Sequence, residues 1–393
     1  MRWRRWLGGA GLVVAALAVM FFGFGPGIAA GGMNRVTGDP PVISPEGAAL
    51  HATLAVGDLH ADSLLWNRDL LTRSTRGHAD LPRLDEGNVA VQVFSAVTKS
   101  PAGQSYESNA TDARDMITAL MVAQLRPPRL WSSLKERALD QAARLAATAE
   151  AAPEQLRLIL TADDLGALLA EREAGSRVIG GILALEGAHP LEGDLGNIAV
   201  LAGAGYRIFG ITHFFDNELG GSLHGAAGAD SPGLSDFGNA AVSELVAREL
   251  IIDLAHASPA VARDVLDTPG ARVMVSHGGI HGHCPAQRNF TDDLMQDIAA
   301  AGGIVGIGFW DEAVCGTSVD SIAEGIEAAV ALLGPDAVAL GSDFDGAVRT
   351  PIDASGLAAI TSALLARGMD EETIAAVMGG NMMRFLAESL PRQ

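Results

Sequence analysis

The sequence predicts a closed eight-stranded α/β barrel, and three observations carry that expectation. Short β-branched or apolar runs alternate with Ala/Leu-rich helical stretches, the pattern of βα units wound around a parallel sheet. Eight such runs can be counted, at 54–59, 89–95, 178–185, 206–212, 250–255, 273–276, 303–309 and 337–341. Most of them close on His, Glu or Asp. In a (β/α)8 barrel of the TIM type the carboxyl ends of all strands meet at one mouth, where active sites lie. An open doubly wound sheet is the alternative reading of the same alternation.

Length and composition set the frame. A chain of 393 residues could hold two average domains, but α/β barrels also use this length as one. The expected division is an N-terminal segment 1–32, a linker 33–48 and a barrel domain 49–390. With 48% hydrophobic and 19% charged residues the chain has the composition of a folded globule rather than a disordered one. A formal charge of −20 argues against nucleic acid, because no basic surface remains to neutralise phosphates. It also offers little attraction to anionic lipid heads.

The first segment is read apart from the fold. Arg2, Arg4 and Arg5 precede an uncharged stretch from Trp6 through Asn34, whose apolar part to about Phe24 is long enough to span a bilayer. Arginines ahead of it predict a cytoplasmic N-terminus and an exported body. The segment is then either an uncleaved anchor or a signal removed near Ala29 and Ala30. No cysteine follows it closely, which excludes a lipid-modified cysteine. The Gly- and Pro-containing stretch to about residue 48 reads as a tether.

Strand one ends in Asp58-Leu-His-Ala-Asp62, and residues two apart on a strand share a face, so His60 and Asp62 can reach one point. The region from Ser105 to Leu169 reads as an enlarged helical crossover, with heptad-like apolar spacing through 113–125 and 134–147. Strand three closes on Glu186, strand four on Thr212 and His213, strand five on Asp253 and His256, strand six on Ser276 and His277, and strand eight on Asp343 and Asp345. The Gly-rich stretch 217–228 after strand four is a candidate rim loop. No Gly-Lys-Ser/Thr follows it, so it is no phosphate cradle.

Metal accounting divides these side chains. A pair of divalent ions needs a bridging carboxylate and about two further ligands each. Glu186, alone on its strand and central in the order, is the expected bridge. His60 and Asp62 complete one ion's ligands, and His256 and His277 the other's. An open position on each would hold a shared water, acidified to act as hydroxide. Zinc suits this donor set, although other divalent ions are also accepted by His/Asp/Glu sites. Asp58, Asp253 and Asp345 are expected to orient neighbours rather than to react. His51, His78, His189, His224, His281 and His283 are expected to be structural or solvated.

Taken in order, the motifs resemble the membrane dipeptidase (renal dipeptidase) family of zinc peptidases, within the amidohydrolase-like barrels. They are Asp58-Leu-His-Ala-Asp62, Asp80-Leu-Pro-Arg-Leu84 with Gln92, Leu185-Glu-Gly187, Ile211-Thr-His213, Gly233-Leu-Ser235 and Ile252-Asp-Leu-Ala-His256. Ser276-His277, Arg288-Asn289, Gly341-Ser-Asp-Phe-Asp-Gly346 and Gly379-Gly-Asn381 with Arg384 complete the set. The resemblance implies a binuclear-zinc dipeptidase whose five ligands are the ones above. It adds His213 at the scissile carbonyl or its oxyanion, Arg288 at the substrate's C-terminal carboxylate, and Asp343 at the free amino group, shuttling the proton to the leaving amine. It also implies a disulfide between Cys284 and Cys315, in keeping with export, and a homodimer. Dipeptides with a C-terminal D-residue are among the expected substrates. An N-acyl amino acid deacylase or lactonase on the same centre is the alternative. One departure concerns the carboxylate end: animal members of the family carry a tyrosine shortly before the second cysteine, where this chain has Phe309 and Trp310.

Overall fold

The predicted apolar runs are the strands of a nearly closed parallel barrel: β1 (Val56–Ala61), β2 (Val89–Val97), β3 (Ile179–Glu186), β4 (Tyr206–Gly210), β5 (Ile251–Asp253), β6 (Arg272–Gly278), β7 (Ile304–Ile307) and β8 (Val338–Leu340). The computed structural model describes residues 15–392. The basic cluster at Arg2, Arg4 and Arg5 and the start of the apolar run at Trp6 lie outside the described residues. Each strand pairs in parallel with the next in sequence order. β1, β2 and β3 are buried along their whole length, as expected of strands covered on both faces.

The seam between β8 and β1 is closed by side chains more than by a ladder. β8 is three residues long, and among the described residues only Ala61 and Phe344 bridge across, with Asp62 N–H donating to the Phe344 carbonyl at 2.8 Å. Asp58 supplies the missing acceptors: it takes hydrogen bonds from Ser342 N–H (2.8 Å), Ser342 Oγ (2.7 Å) and Gln92 Nε2 (2.8 Å). Below the seam, Gly379 brings the C-terminal segment against β1, where a Cβ would meet the Ala55 carbonyl at 2.0 Å. Met382, Phe385 and Leu386 of the helix that follows fill the barrel base beside Leu59, Val91 and Ile182.

Three features differ from the sequence expectation. Leu156–Leu158, inside the stretch read as strand-free, is a short strand beside the start of β3. Three residues are too few for alternation to register. β4 and β5 also stop short of their predicted ends, which leaves Thr212, His213 and His256 on the loops above the strands. The predicted tether is pinned: Arg35 and Val36 pair with Arg349 and Thr350, and Asn34 Oδ1 accepts from Ala347 N–H at 2.8 Å. The enlarged crossover is helical as expected, over Met116–Ala123, Arg129–Ser132 and Leu134–Ala151. The last of these is capped by Ser133 and buries Ala138, Gln141, Ala142 and Leu145 along one face.

The apolar helix Ala15–Met33 is 19 residues long with mean hydropathy 1.6, enough by length and composition to cross a membrane. Cys284 and Cys315 are joined in a disulfide that ties the loop after β6 to the loop after β7.

Candidate metal centre

Glu186 stands at the centre of the barrel mouth. Its Oε1 lies 3.2 Å from His256 Nε2, 3.5 Å from His213 Nε2 and His277 Nε2, and 3.6 Å from His60 Nε2. His60 Nε2 lies 3.4 Å from Asp62 Oδ1 and 3.9 Å from Asp343 Oδ1. His256 and His277 bring their Nε2 atoms to 2.9 Å from one another. All seven side chains are buried. The strand ends and loops of β1, β3, β4, β5, β6 and β8 therefore bring together every sequence-predicted residue except Arg288, which sits to one side. His256 and Asp343 both hold positive φ, 64° and 58°, a backbone state uncommon outside glycine and concentrated at functional sites.

Hydrogen bonds on the far side of the rings fix which nitrogen faces inward. Ser276 Oγ donates its one proton to Asp253 Oδ2 at 2.5 Å, so it can only accept from His60 Nδ1 (3.2 Å) and His277 Nδ1 (2.8 Å). Both rings thus carry hydrogen on Nδ1 and turn Nε2 to the centre. His213 Nδ1 donates likewise to the Lys99 carbonyl at 3.1 Å. Asp253 is held in turn by Ala255 and Ser276 N–H groups. That occupies the Asp253 oxygens, so it acts as the support for two histidines and not as a donor to an ion.

The centre has the chemistry of a cation site. Among the described residues, His60 Nε2, Asp62 Oδ1 and Glu186 Oε2 are buried without a hydrogen-bond partner, a costly state unless another group binds there. Donor atoms of Glu186, His213 and His256, and of His60, Asp62 and Glu186, lie within 4.8 Å of one another. The protonation states agree. Burial works against a charged His60, yet the Asp62, Glu186 and Asp343 carboxylates outweigh it and raise its pKa to about 10. Burial and the Glu186 charge push Asp62 up to about 7. Burial, the Arg288 charge and neighbouring histidines hold His256 and His277 well below the usual imidazole range, in the neutral form that binds metal. Without a cation the cluster keeps protons in its place; the residues fit a divalent ion.

Arg288 is buried beside this centre. Its Nη2 donates to the His277 carbonyl at 2.6 Å, and its guanidinium lies 5.6 Å from the centre of the Trp310 ring. Among the described residues, Arg288 Nε and Trp310 Nε1 are buried donors without a close acceptor, and the Tyr106 hydroxyl faces the same corner, a donor set suited to a carboxylate. Asn289 braces this corner by donating to the Cys284, Glu312 and Ala313 carbonyls. Sequence reasoning missed Ser276 as the shared support and Trp310 as a donor. The signals were a serine before a strand-end histidine and a tryptophan shortly before the second cysteine. His51, His78, His189, His281 and His283 stand in none of these donor groups, and His224 is held through Nδ1 by the Tyr106 carbonyl at 2.6 Å.

Replacing Ser276 by Ala removes the common acceptor of two ring N–H groups. The expected result is an affinity for divalent metal about 10- to 100-fold weaker, measured by competition with a fluorescent chelator.

A parallel barrel with a buried carboxylate ringed by histidines at its C-terminal mouth defines the class of metal-dependent hydrolases. The chain belongs to the membrane dipeptidase family (peptidase family M19), whose family model matches residues 46–390. It is 34% identical over 224 residues to Dipeptidase aclJ of Aspergillus oryzae, a match covering 53% of this chain and 51% of that protein. The chain thus spans about half the length of that relative. Among solved structures it is similar to a metallopeptidase from Rhodobacter sphaeroides liganded with a phosphinate mimic of the dipeptide L-Ala-D-Ala. That likeness has a TM-score of 0.69 at 25% identity, covering 86% of this chain and 99% of the other. It is also similar to the dipeptidase AC, at TM-score 0.70, 25% identity and the same coverage.

Proposed function

We propose that this protein is a binuclear-zinc dipeptidase, anchored by its N-terminal helix at the outer face of a cytoplasmic membrane. The observation that carries the reading is the position of Glu186 Oε1, within 3.6 Å of four histidine nitrogens, with the buried, partly unpaired Arg288 to one side. Glu186 would bridge the ions, with His60 and Asp62 on one and His256 and His277 on the other. Bound divalent ions would supply Lewis-acid polarisation of the carbonyl and a lowered pKa for water.

The chain's own residues do the rest. Arg288 and Trp310 Nε1 grip the C-terminal carboxylate, and Asp343 holds the free amino group, so both ends of a dipeptide are read. Asp343 takes the proton of the attacking water as the new C–O bond forms, and returns it to the nitrogen as the C–N bond breaks. His213 faces the carbonyl oxygen. Its Nδ1 proton is committed to Lys99 and burial holds the ring below the usual imidazole range, so its Nε2 becomes a donor only when the ring gains a proton as negative charge grows on that oxygen. The ligand in the Rhodobacter relative supports dipeptides ending in a D-residue as substrates.

The test is metal content and Gly–D-Ala hydrolysis by the full chain in detergent, beside Arg288→Ala. Loss of the guanidinium is expected to lower kcat/KM about 100-fold, mostly through KM, since each hydrogen bond to a charged group contributes about 1.5–3 kcal/mol. Metal bound without cleavage of any free dipeptide would turn the reading to N-acyl amino acids or lactones.

A further inference from the structure

The cavity above the metal centre holds about 490 Å³, the size that drug-sized ligands occupy (roughly 300–1,000 Å³). Its floor is Asp62, Glu186, His213, His256 and Asp343, and its far side is apolar. Leu65 contributes from the loop after β1, Ile117 and Leu120 from the helix Met116–Ala123 after β2, and Pro26, Ala29 and Met33 from the N-terminal helix. That helix is fastened to the catalytic mouth. Ala30 is buried among Leu65, Trp66 and Ile117, and Asn34 with the Arg35–Val36 pairing holds the same loop that carries Asp343.

The order of the strands gives the chamber a direction. Arg288 follows β6 and Trp310 follows β7, and neither lines the chamber. The apolar wall follows β1 and β2, on the other side of Glu186. A dipeptide with its carboxylate at Arg288 and its scissile carbonyl above Glu186 therefore turns its amino-terminal residue toward that wall. We infer that the N-terminal apolar helix is a wall of the substrate site, where it completes an apolar pocket for a large side chain on the substrate's amino-terminal residue. The inference rests on the dipeptidase reading and names its substrate class. The stretch from Pro26 to Met33 is then the wall, and the apolar run before it the anchor.

Two measurements on the full chain in nanodiscs test this. The first is kcat/KM for Gly–D-Ala, Leu–D-Ala and Phe–D-Ala, in the unmodified chain and in Ala29→Trp and Leu120→Glu. Burying a Phe side chain is expected to raise kcat/KM about 10- to 100-fold over Gly. Both substitutions are expected to cut the Phe-to-Gly ratio at least about tenfold. The second is photo-crosslinking with p-benzoyl-phenylalanyl–D-Ala, expected to label peptides within residues 15–33. Dipeptide cleavage with no dependence on the first side chain, or labelling confined to other segments, overturns the inference and leaves the dipeptidase reading standing. Absence of all free-dipeptide cleavage overturns both.

Discussion

Glu186→Gln is expected to abolish turnover, by on the order of 1,000-fold or more, and to lower bound metal per chain. The size follows from the charge. Lewis-acid stabilisation of the transition state is worth several kcal/mol, and about 1.4 kcal/mol is tenfold in rate. Glutamine keeps the shape of the side chain, but it is neutral and offers one oxygen and one NH2 where the carboxylate offers two acceptors. Four imidazole nitrogens converge on Glu186 Oε1. At least one would then face an amide N–H or lose its anionic neighbour. Metal analysis of the purified protein, with hydrolysis on the same sample, checks the expectation. A variant that keeps full metal content and loses only rate would move Glu186 out of the bridging position.

What the sequence disclosed of this centre depended on position in the chain. His60, Glu186, His256 and His277 each close an apolar run, so a barrel hypothesis alone sends them to one mouth. The eight strands were legible for the same reason, as clean apolar runs between helical stretches. Ser276 was not, because a serine at a strand end is ordinary; its role exists only where His60, His277 and Asp253 meet around one hydroxyl. Asp58 was expected near the site, and its work as the clasp of the β1–β8 seam depends on β8 being too short to complete a ladder. The strand Leu156–Leu158 is set by pairing with residues more than twenty positions away, which local pattern does not encode. Trp310 lies beside Arg288 because a disulfide and Asn289 fold two loops together, again a non-local fact.

Asp343 and Asp345 stand two residues apart, and their surroundings assign them opposite tasks. Asp345 is spent on structure. It accepts from Ser63 Oγ at 2.6 Å and His78 N–H at 2.8 Å, and is paired with Arg68. Burial alone would raise its pKa, but the Arg68 charge and these hydrogen bonds overcome that and hold it low. It is ionised at every working pH and has no proton to trade. Asp343 has no such cage. Its Oδ1 instead faces the metal centre, 3.9 Å from His60 Nε2, where burial and the Asp62 and Glu186 charges push its carboxyl up while His60, and any bound cation, pull it down toward the ionised form that accepts a proton. Asp343→Asn is therefore expected to lower kcat by about 100- to 10,000-fold, the range for a lost general acid–base, with metal content and Tm close to those of the parent. Asp345→Ala is expected to do the reverse in kind. It leaves Arg68 buried without its partner, at a cost of about 3–5 kcal/mol, read as a lowered Tm. The sign with pH follows from the depressed carboxyl: its contribution is present above about pH 4, the unfolded carboxylate's range, and fades as pH falls through the lower folded value. A parent whose Tm falls on acidification more steeply than that of Asp345→Ala would bear this out. An Asp343→Asn enzyme with near-normal kcat would give the proton transfer to another group.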